Sequence, residues 1–166
     1  MLTVAPTFLR GLAAVTLLAI GTPALAATEP QWWGVVNIGS RHLGGADDFL
    51  PAGESFNEFN PGIGVEVQWQ PRHGLAAGYF RNSVYENSLY ALYQYTPLQL
   101  GLHVRVGAMV GVVTGYPEYN DGGLAPAGGL VAKFEYRRLG ANVIFLPEVR
   151  NVTPHTLGLQ LKYRFR

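Results

Sequence analysis

Apolar and polar residues alternate with a period of two along most of the chain beyond residue 30, and the clearest case is the C-terminal stretch. Leu157, Leu159, Leu161, Tyr163 and Phe165 fall on one side, and Gly158, Gln160, Lys162 and Arg164 on the other. Side chains alternate faces along a strand, so this is the pattern of a strand with one apolar face. The same reading divides the chain into eight segments: Trp32–His42, Gly62–Trp69, Gly74–Arg81, Ser88–Tyr95, Leu98–Thr114, Leu130–Tyr136, Leu139–Leu146 and Thr156–Phe165. In the fifth, Leu100, Leu102, Val104, Val106, Ala108, Val110 and Val112 share a face, opposite His103, Arg105, Gly107, Met109 and Gly111.

The predicted connections alternate in length. Gln70–His73, Thr96–Pro97 and Arg137–Arg138 are short; Leu43–Asn60, Asn82–Asn87, Gly115–Gly129 and Pro147–His155 are longer. An even strand count, short turns at one end and longer loops at the other describe an eight-stranded antiparallel transmembrane β-barrel of the bacterial outer membrane. Closure leaves no edge strand exposed to lipid. Trp69, Tyr93, Tyr95, Tyr136 and Tyr163 gather at the short-turn ends, where an interfacial girdle belongs. A soluble lipid-binding barrel is the alternative architecture, with its apolar face turned inward.

The start of the chain predicts the compartment. Arg10 precedes an apolar stretch from Gly11 to Ile20 and a small-residue site at Ala24-Leu25-Ala26, as in a cleaved signal peptide. The stretch is shorter than the roughly 20 residues of a spanning helix. Residues 1–26 are therefore expected to be removed, leaving a barrel domain at 27–166. Arg10 is one of 12 basic residues, so 11 remain against 11 acids and the domain is near neutral. Nothing in that balance suggests a nucleic-acid partner. With no cysteine and scattered histidines, neither disulfides nor a metal site is expected.

The interior face divides by depth. Glu66, Gln68, Lys133, Glu135, Gln160, Lys162 and Arg164, with His103 and Arg105, fall near the short-turn end and predict a charged floor. Gly107, Met109 and Gly111 come higher, predicting a small or apolar upper half in which an acyl chain fits. The topology also places His42, at the end of the first strand, at the same long-loop rim as Asn82 and Ser83, just after the third. An imidazole, an amide and a hydroxyl at one rim are the parts of an acyl-transfer site. His42 would act as general base, Ser83 as nucleophile or ester binder, and Asn82 as orienting or oxyanion group. Pro61, Pro126 and Pro147 are read as strand-end breakers, His73 as an exposed turn residue, and Tyr116, Tyr119 and Asp121 as solvent-exposed loop residues.

Several stretches resemble the PagP family of outer-membrane lipid A palmitoyltransferases. Phe80-Arg81-Asn82-Ser83 is similar to that family's Phe-Lys-Asp-Ser segment, and Phe56-Asn57-Glu58 to its Tyr-Asn-Glu. Gly111-Val112-Val113-Thr114, Leu124-Ala125-Pro126 and Phe145-Leu146-Pro147 resemble its Ala-Gly-Val-Thr, Leu-Leu-Pro and Tyr-Ile-Pro. The resemblance is collinear from about Trp32 onward. It implies a monomeric barrel that moves an acyl chain from a phospholipid donor to a lipid A acceptor without a cofactor, and lateral lipid access at the prolines. Its His, Asp and Ser would fall on His42, Asn82 and Ser83, so the chain has an amide where the family has a carboxylate. Glu58 or Asp47 is the candidate replacement. The chain also lacks room for the family's amphipathic helix before the first strand, and Arg166 follows the terminal aromatic. The alternative function is a non-catalytic structural or surface-binding barrel.

Overall fold

The computed structural model describes residues 29–44, 49–149 and 153–166. The predicted signal peptide and Asp47 lie outside the described residues. Eight strands follow one another: β1 (Gln31–Leu43), β2 (Phe59–Trp69), β3 (His73–Arg81), β4 (Asn87–Leu100), β5 (Val104–Val113), β6 (Ala125–Tyr136), β7 (Leu139–Leu146) and β8 (His155–Arg164). Each pairs antiparallel with its sequence neighbours, and β8 returns to β1 to close the barrel. The closing register sets Trp33 opposite Arg164, Val36 opposite Leu161 and His42 opposite Thr156. Beyond β8, the Trp32 N–H donates to the Arg166 carbonyl at 2.7 Å, which extends the seam and gives Arg166 a structural place.

The alternation predicted for β8 holds. Leu157, Leu159, Leu161 and Tyr163 face outward and are exposed, whereas Gln160 and Lys162 are buried. The same contrast runs through β2, where Ile63 and Val65 are exposed and Glu66 and Gln68 are buried. The barrel is apolar outside and, in its lower half, polar within, and an apolar outer face is the arrangement of a transmembrane barrel and the reverse of a soluble lipid-binding one. At the short-turn end, Trp69, His73, Tyr93 and Tyr95 form an aromatic cluster. His73 is the first residue of β3, not a turn residue, and shares a 2.7 Å hydrogen bond with the Tyr93 hydroxyl.

The turn between β4 and β5 corrects the sequence reading. Thr96 and Pro97 do not end the strand; they sit at a register shift between Tyr95 and Leu98, and β4 runs on to Leu100. A proline has no N–H to give a ladder, and a bulge is one place where none is needed. The turn comes at Gly101, whose φ of +67° suits glycine. His103 therefore belongs to this turn, edge-on to Tyr136, and not to the floor. Pro61 and Pro126 likewise lie inside β2 and β6, not beyond their ends.

The floor itself is a connected polar network centred on Glu66. Both Lys133 and Lys162 place Nζ 2.9 Å from Glu66 Oε1. Lys162 also reaches Glu135 at 2.7 Å, and Gln68 donates to both carboxylates. Asn142 donates to Glu66 Oε2 at 2.9 Å and to Gln160, which donates to Asn37. Buried charges persist where they are paired and hydrogen-bonded, and Glu66 meets both conditions.

Candidate functional site

A β-bulge decides which way His42 points. From Trp33 to Asn37 the odd positions of β1 face inward; a register shift between Asn37 and Gly39, seen against both β2 and β8, hands the interior to Ser40 and His42. Without the extra residue His42 would face outward, because a one-residue slip exchanges the faces of a strand. His42 is 9% exposed, and its ring stacks on Phe56 with centroids 4.0 Å apart and planes 13° from parallel. Its Nδ1 is buried with no hydrogen-bond partner among the described residues.

Ser83 is brought to the same cavity by a polar clamp between two loops. The Asn57 N–H donates to the Ser83 carbonyl at 2.8 Å, and Asn57 Nδ2 to the Asn82 carbonyl at 3.0 Å. Buried Asn60 donates to the carbonyls of Asn57 and Arg81, both at 3.1 Å, and accepts from Ser40 Oγ at 2.6 Å. Ser40, on β1 beside His42, is thus tied through Asn60 and Asn57 to the Asn82–Ser83 turn. Sequence reasoning missed Ser40 and Asn60. Their signal was the polar residue type on a strand near the rim, but the bulge concealed which face Ser40 occupies.

The cavity has a volume of about 170 Å³, more than ten times the roughly 10–15 Å³ that one water needs. His42, Ser83, Ser40, Asn60 and Tyr116 line its upper part, and Leu92, Met109, Val113, Ala127, Ile144 and Leu146 supply its apolar wall. Among the described residues no Asp, Glu, Lys or Arg lines it. The described strand residues of the upper interior therefore carry no formal charge, as expected from the depth at which the charged residues fall along the strands. Tyr90 lies across the space left by Gly64 and Gly78, where a Cβ on either would run into its hydroxyl. Tyr116 corrects the sequence reading: it is a half-buried wall residue, not a solvent-exposed one. Burial pushes the Tyr116 phenol up from its usual pKa, and its polar contact with the Ser83 side chain works the other way.

Of the three residues assigned to the acyl pocket, Met109 is buried and lines the cavity, whereas Gly107 and Gly111 are not among its lining residues. A Cβ at Gly107 would meet the backbone of Tyr95 and Thr96, and one at Gly111 that of Ala91 and Leu92. These glycines let β5 lie close against β4.

Asn82 is fully buried, and its amide is taken up by its own loop. Nδ2 donates to Ser88 Oγ at 2.9 Å and to the Gly115 carbonyl at 2.6 Å; Oδ1 accepts from the N–H groups of Val84 and Glu86 at 3.0 and 2.9 Å. That is an Asx-type turn with both sides of the amide in use. Asn82 is not among the cavity-lining residues and makes no hydrogen bond to His42. A carboxylate there would lose both donors and set an anionic oxygen against the Gly115 carbonyl, so the amide suits this site. Glu58 is engaged by Arg41 at 2.7 Å on the exposed rim.

One side of the upper barrel is incompletely laddered. Pairing of β6 with β7 begins at Leu130 opposite Phe145, so Ala125 to Gly129 pair with β5 alone. Pro147 follows the last residue of β7.

No family model and no curated protein matches the chain. Among solved structures the chain is similar to the solution NMR structure of de novo designed TMB2.3, a designed transmembrane β-barrel. The two superpose with a TM-score of 0.54 at 15% sequence identity, over 87% of this chain and 99% of that one. At that identity the likeness establishes the barrel fold and carries nothing about chemistry.

Proposed function

We propose that this chain is an outer-membrane acyltransferase of the PagP kind, acting on lipid acyl chains at the extracellular rim after export by a signal peptide. The carrying observation is that His42 and Ser83 line one cavity whose deeper wall is apolar and uncharged. An acyl chain of the phospholipid donor fills the apolar part, which leaves its ester near the polar rim. His42 then takes the proton of a hydroxyl on lipid A as that oxygen attacks the ester carbonyl. The C–O bond to the donor breaks, and the lysophospholipid oxygen leaves with the proton held by the imidazolium. Ser83, with Tyr116 beside it, donates to the carbonyl oxygen as charge develops. One ester replaces another, so the reaction needs no cofactor. The unladdered stretch of β6 beside β7 supports a lateral route from the membrane into the cavity.

One observation favours a second reading. The Asn82 amide is committed to its own hydrogen bonds and Glu58 to Arg41, so among the described residues no carboxylate is hydrogen-bonded to the His42 ring. A non-catalytic barrel with a lipid-sized cavity is the alternative that this supports.

Purified protein in detergent, given phospholipid and lipid A, is expected to yield a hyperacylated product. His42→Ala and Ser83→Ala should each slow the transfer, the histidine by about 10²–10⁴-fold, the usual contribution of a general base. Product formation unchanged in both variants refutes the roles given to these residues. Absence of product from the parent protein selects the non-catalytic barrel.

A further inference from the structure

A second cavity, of about 200 Å³, lies at the short-turn mouth, opposite the lipid-sized one. Arg105, Arg137 and Arg164 line it with a single carboxylate, Glu135. That carboxylate is already occupied: its Oε1 receives Lys162 at 2.7 Å and Gln68 at 2.6 Å, and Arg105 stands 3.7 Å from its Oε2, beyond hydrogen-bond distance. Among the described residues the Arg164 guanidinium donates to the neutral Gln31 amide oxygen, at 3.2 Å, and lies over the Trp33 ring. Arg137 lies over Tyr136.

Counting inward from this mouth, Arg105, Arg137, Arg164, Lys133 and Lys162 face Glu66 and Glu135, three more cations than anions. Arg105 and Lys133 are direct cross-strand partners of like charge; Glu66 answers Lys133 at 2.9 Å, which leaves Arg105 with the distant Glu135 oxygen at 3.7 Å. Trp33 also lines this cavity, with Arg164 and Lys162 over its ring.

We infer that the short-turn mouth is an anion site for a phosphate group, held by Arg105, Arg164 and Arg137. Guanidinium forks match phosphate oxygens two at a time, and a phosphate's charge answers the surplus better than one carboxylate would. The group comes either from a free phosphate compound or from a phospholipid headgroup.

Isothermal titration calorimetry tests this on the whole barrel in a maltoside detergent and phosphate-free buffer. The probes are inorganic phosphate and short-chain phosphatidic acid, with acetate as the control. The parent protein is expected to bind at least one phosphate probe and not acetate. The Arg105→Gln/Arg164→Gln variant should bind at least about tenfold more weakly, as expected for losing charged hydrogen bonds. Arg137→Gln, on the exposed turn between β6 and β7 and outside the ion pairs of the floor, should weaken binding several-fold and guards against a double variant that fails to fold. Binding of inorganic phosphate assigns a free ligand; binding of phosphatidic acid alone assigns a headgroup. No binding by the parent protein, equal binding of acetate, or parental affinity in Arg137→Gln and the double variant overturns the site.

Discussion

The two halves of this barrel's interior are built by opposite rules. In the floor, Glu66 receives Lys133, Lys162, Gln68 and Asn142, and packing leaves it no exposure. In the upper half a void of about 170 Å³ remains, and the buried His42 Nδ1 has no partner among the described residues. An unsatisfied buried polar atom costs on the order of 1–3 kcal/mol, so His42 Nδ1 is held at the rim at some expense, as Trp33 Nε1 and Asn142 Oδ1 are below, whereas every oxygen of the Glu66 carboxylate is answered. Stability is concentrated below and the capacity to receive a ligand above. The bulge after Asn37 joins the two, because it turns the same strand from Trp33 and Val35, buried in the lower half, to His42 in the cavity.

The largest expected effect lies in the floor. Glu66→Ala removes the shared acceptor of two buried ammonium groups and leaves both without it. Breaking a buried ion pair on one side costs about 3–5 kcal/mol. The folded barrel should unfold at markedly lower urea in detergent, followed by heat-modifiable gel migration. A loss below about 1 kcal/mol would show that Glu135 or water replaces Glu66, and would erase the contrast between the halves.

A smaller effect is expected at the loop that presents Ser83. Asn82→Asp restores the carboxylate of the resembled family but loses the donors to Gly115 and Ser88. The expected cost is about 1–3 kcal/mol, seen as faster proteolysis of the loop and lower transfer activity. A gain in activity without loss of stability would show instead that the side chain can turn to His42, and that the amide limits catalysis.

Much of this architecture is legible in the sequence. A period of two assigns faces, so the strand count, the outward leucines of β8 and the inward charges of the floor follow from alternation alone. The location of His42 and Ser83 at one rim follows from strand direction. What alternation does not encode is a change of phase. The bulge in β1 and the one at Thr96–Pro97 each insert residues that reset the pattern; the second moves the turn to Gly101 and removes His103 from the floor. Nor does it encode which atoms meet across the barrel. Asn82 reads as a catalytic neighbour by its position beside Ser83, but its bonds run to Ser88, across its own hairpin, and to Gly115, just beyond the neighbouring β5. Gly107 and Gly111 face inward as expected, yet what they serve is the approach of β4, a property of the partner strand.

The smallest stability effect is predicted where the comparison is sharpest. Ala127, on β6, faces the upper cavity, opposite Gly111 of β5. Ala127→Phe adds a ring to that void. In a close-packed interior such an insertion costs about 1–3 kcal/mol because neighbours must leave their rotamers. Here the ring has space, and burying it returns some hydrophobic free energy, so stability should change by less than about 1 kcal/mol. The acyl chain, however, would lose its place. Transfer from long-chain phospholipids should fall steeply while short-chain donors retain activity, a shift read from the product's mass. A strongly destabilised variant would mean that the upper half is packed as tightly as the floor. Unchanged chain-length preference in a stable variant would place the acyl chain elsewhere, and with it the reason for leaving His42 beside an empty wall.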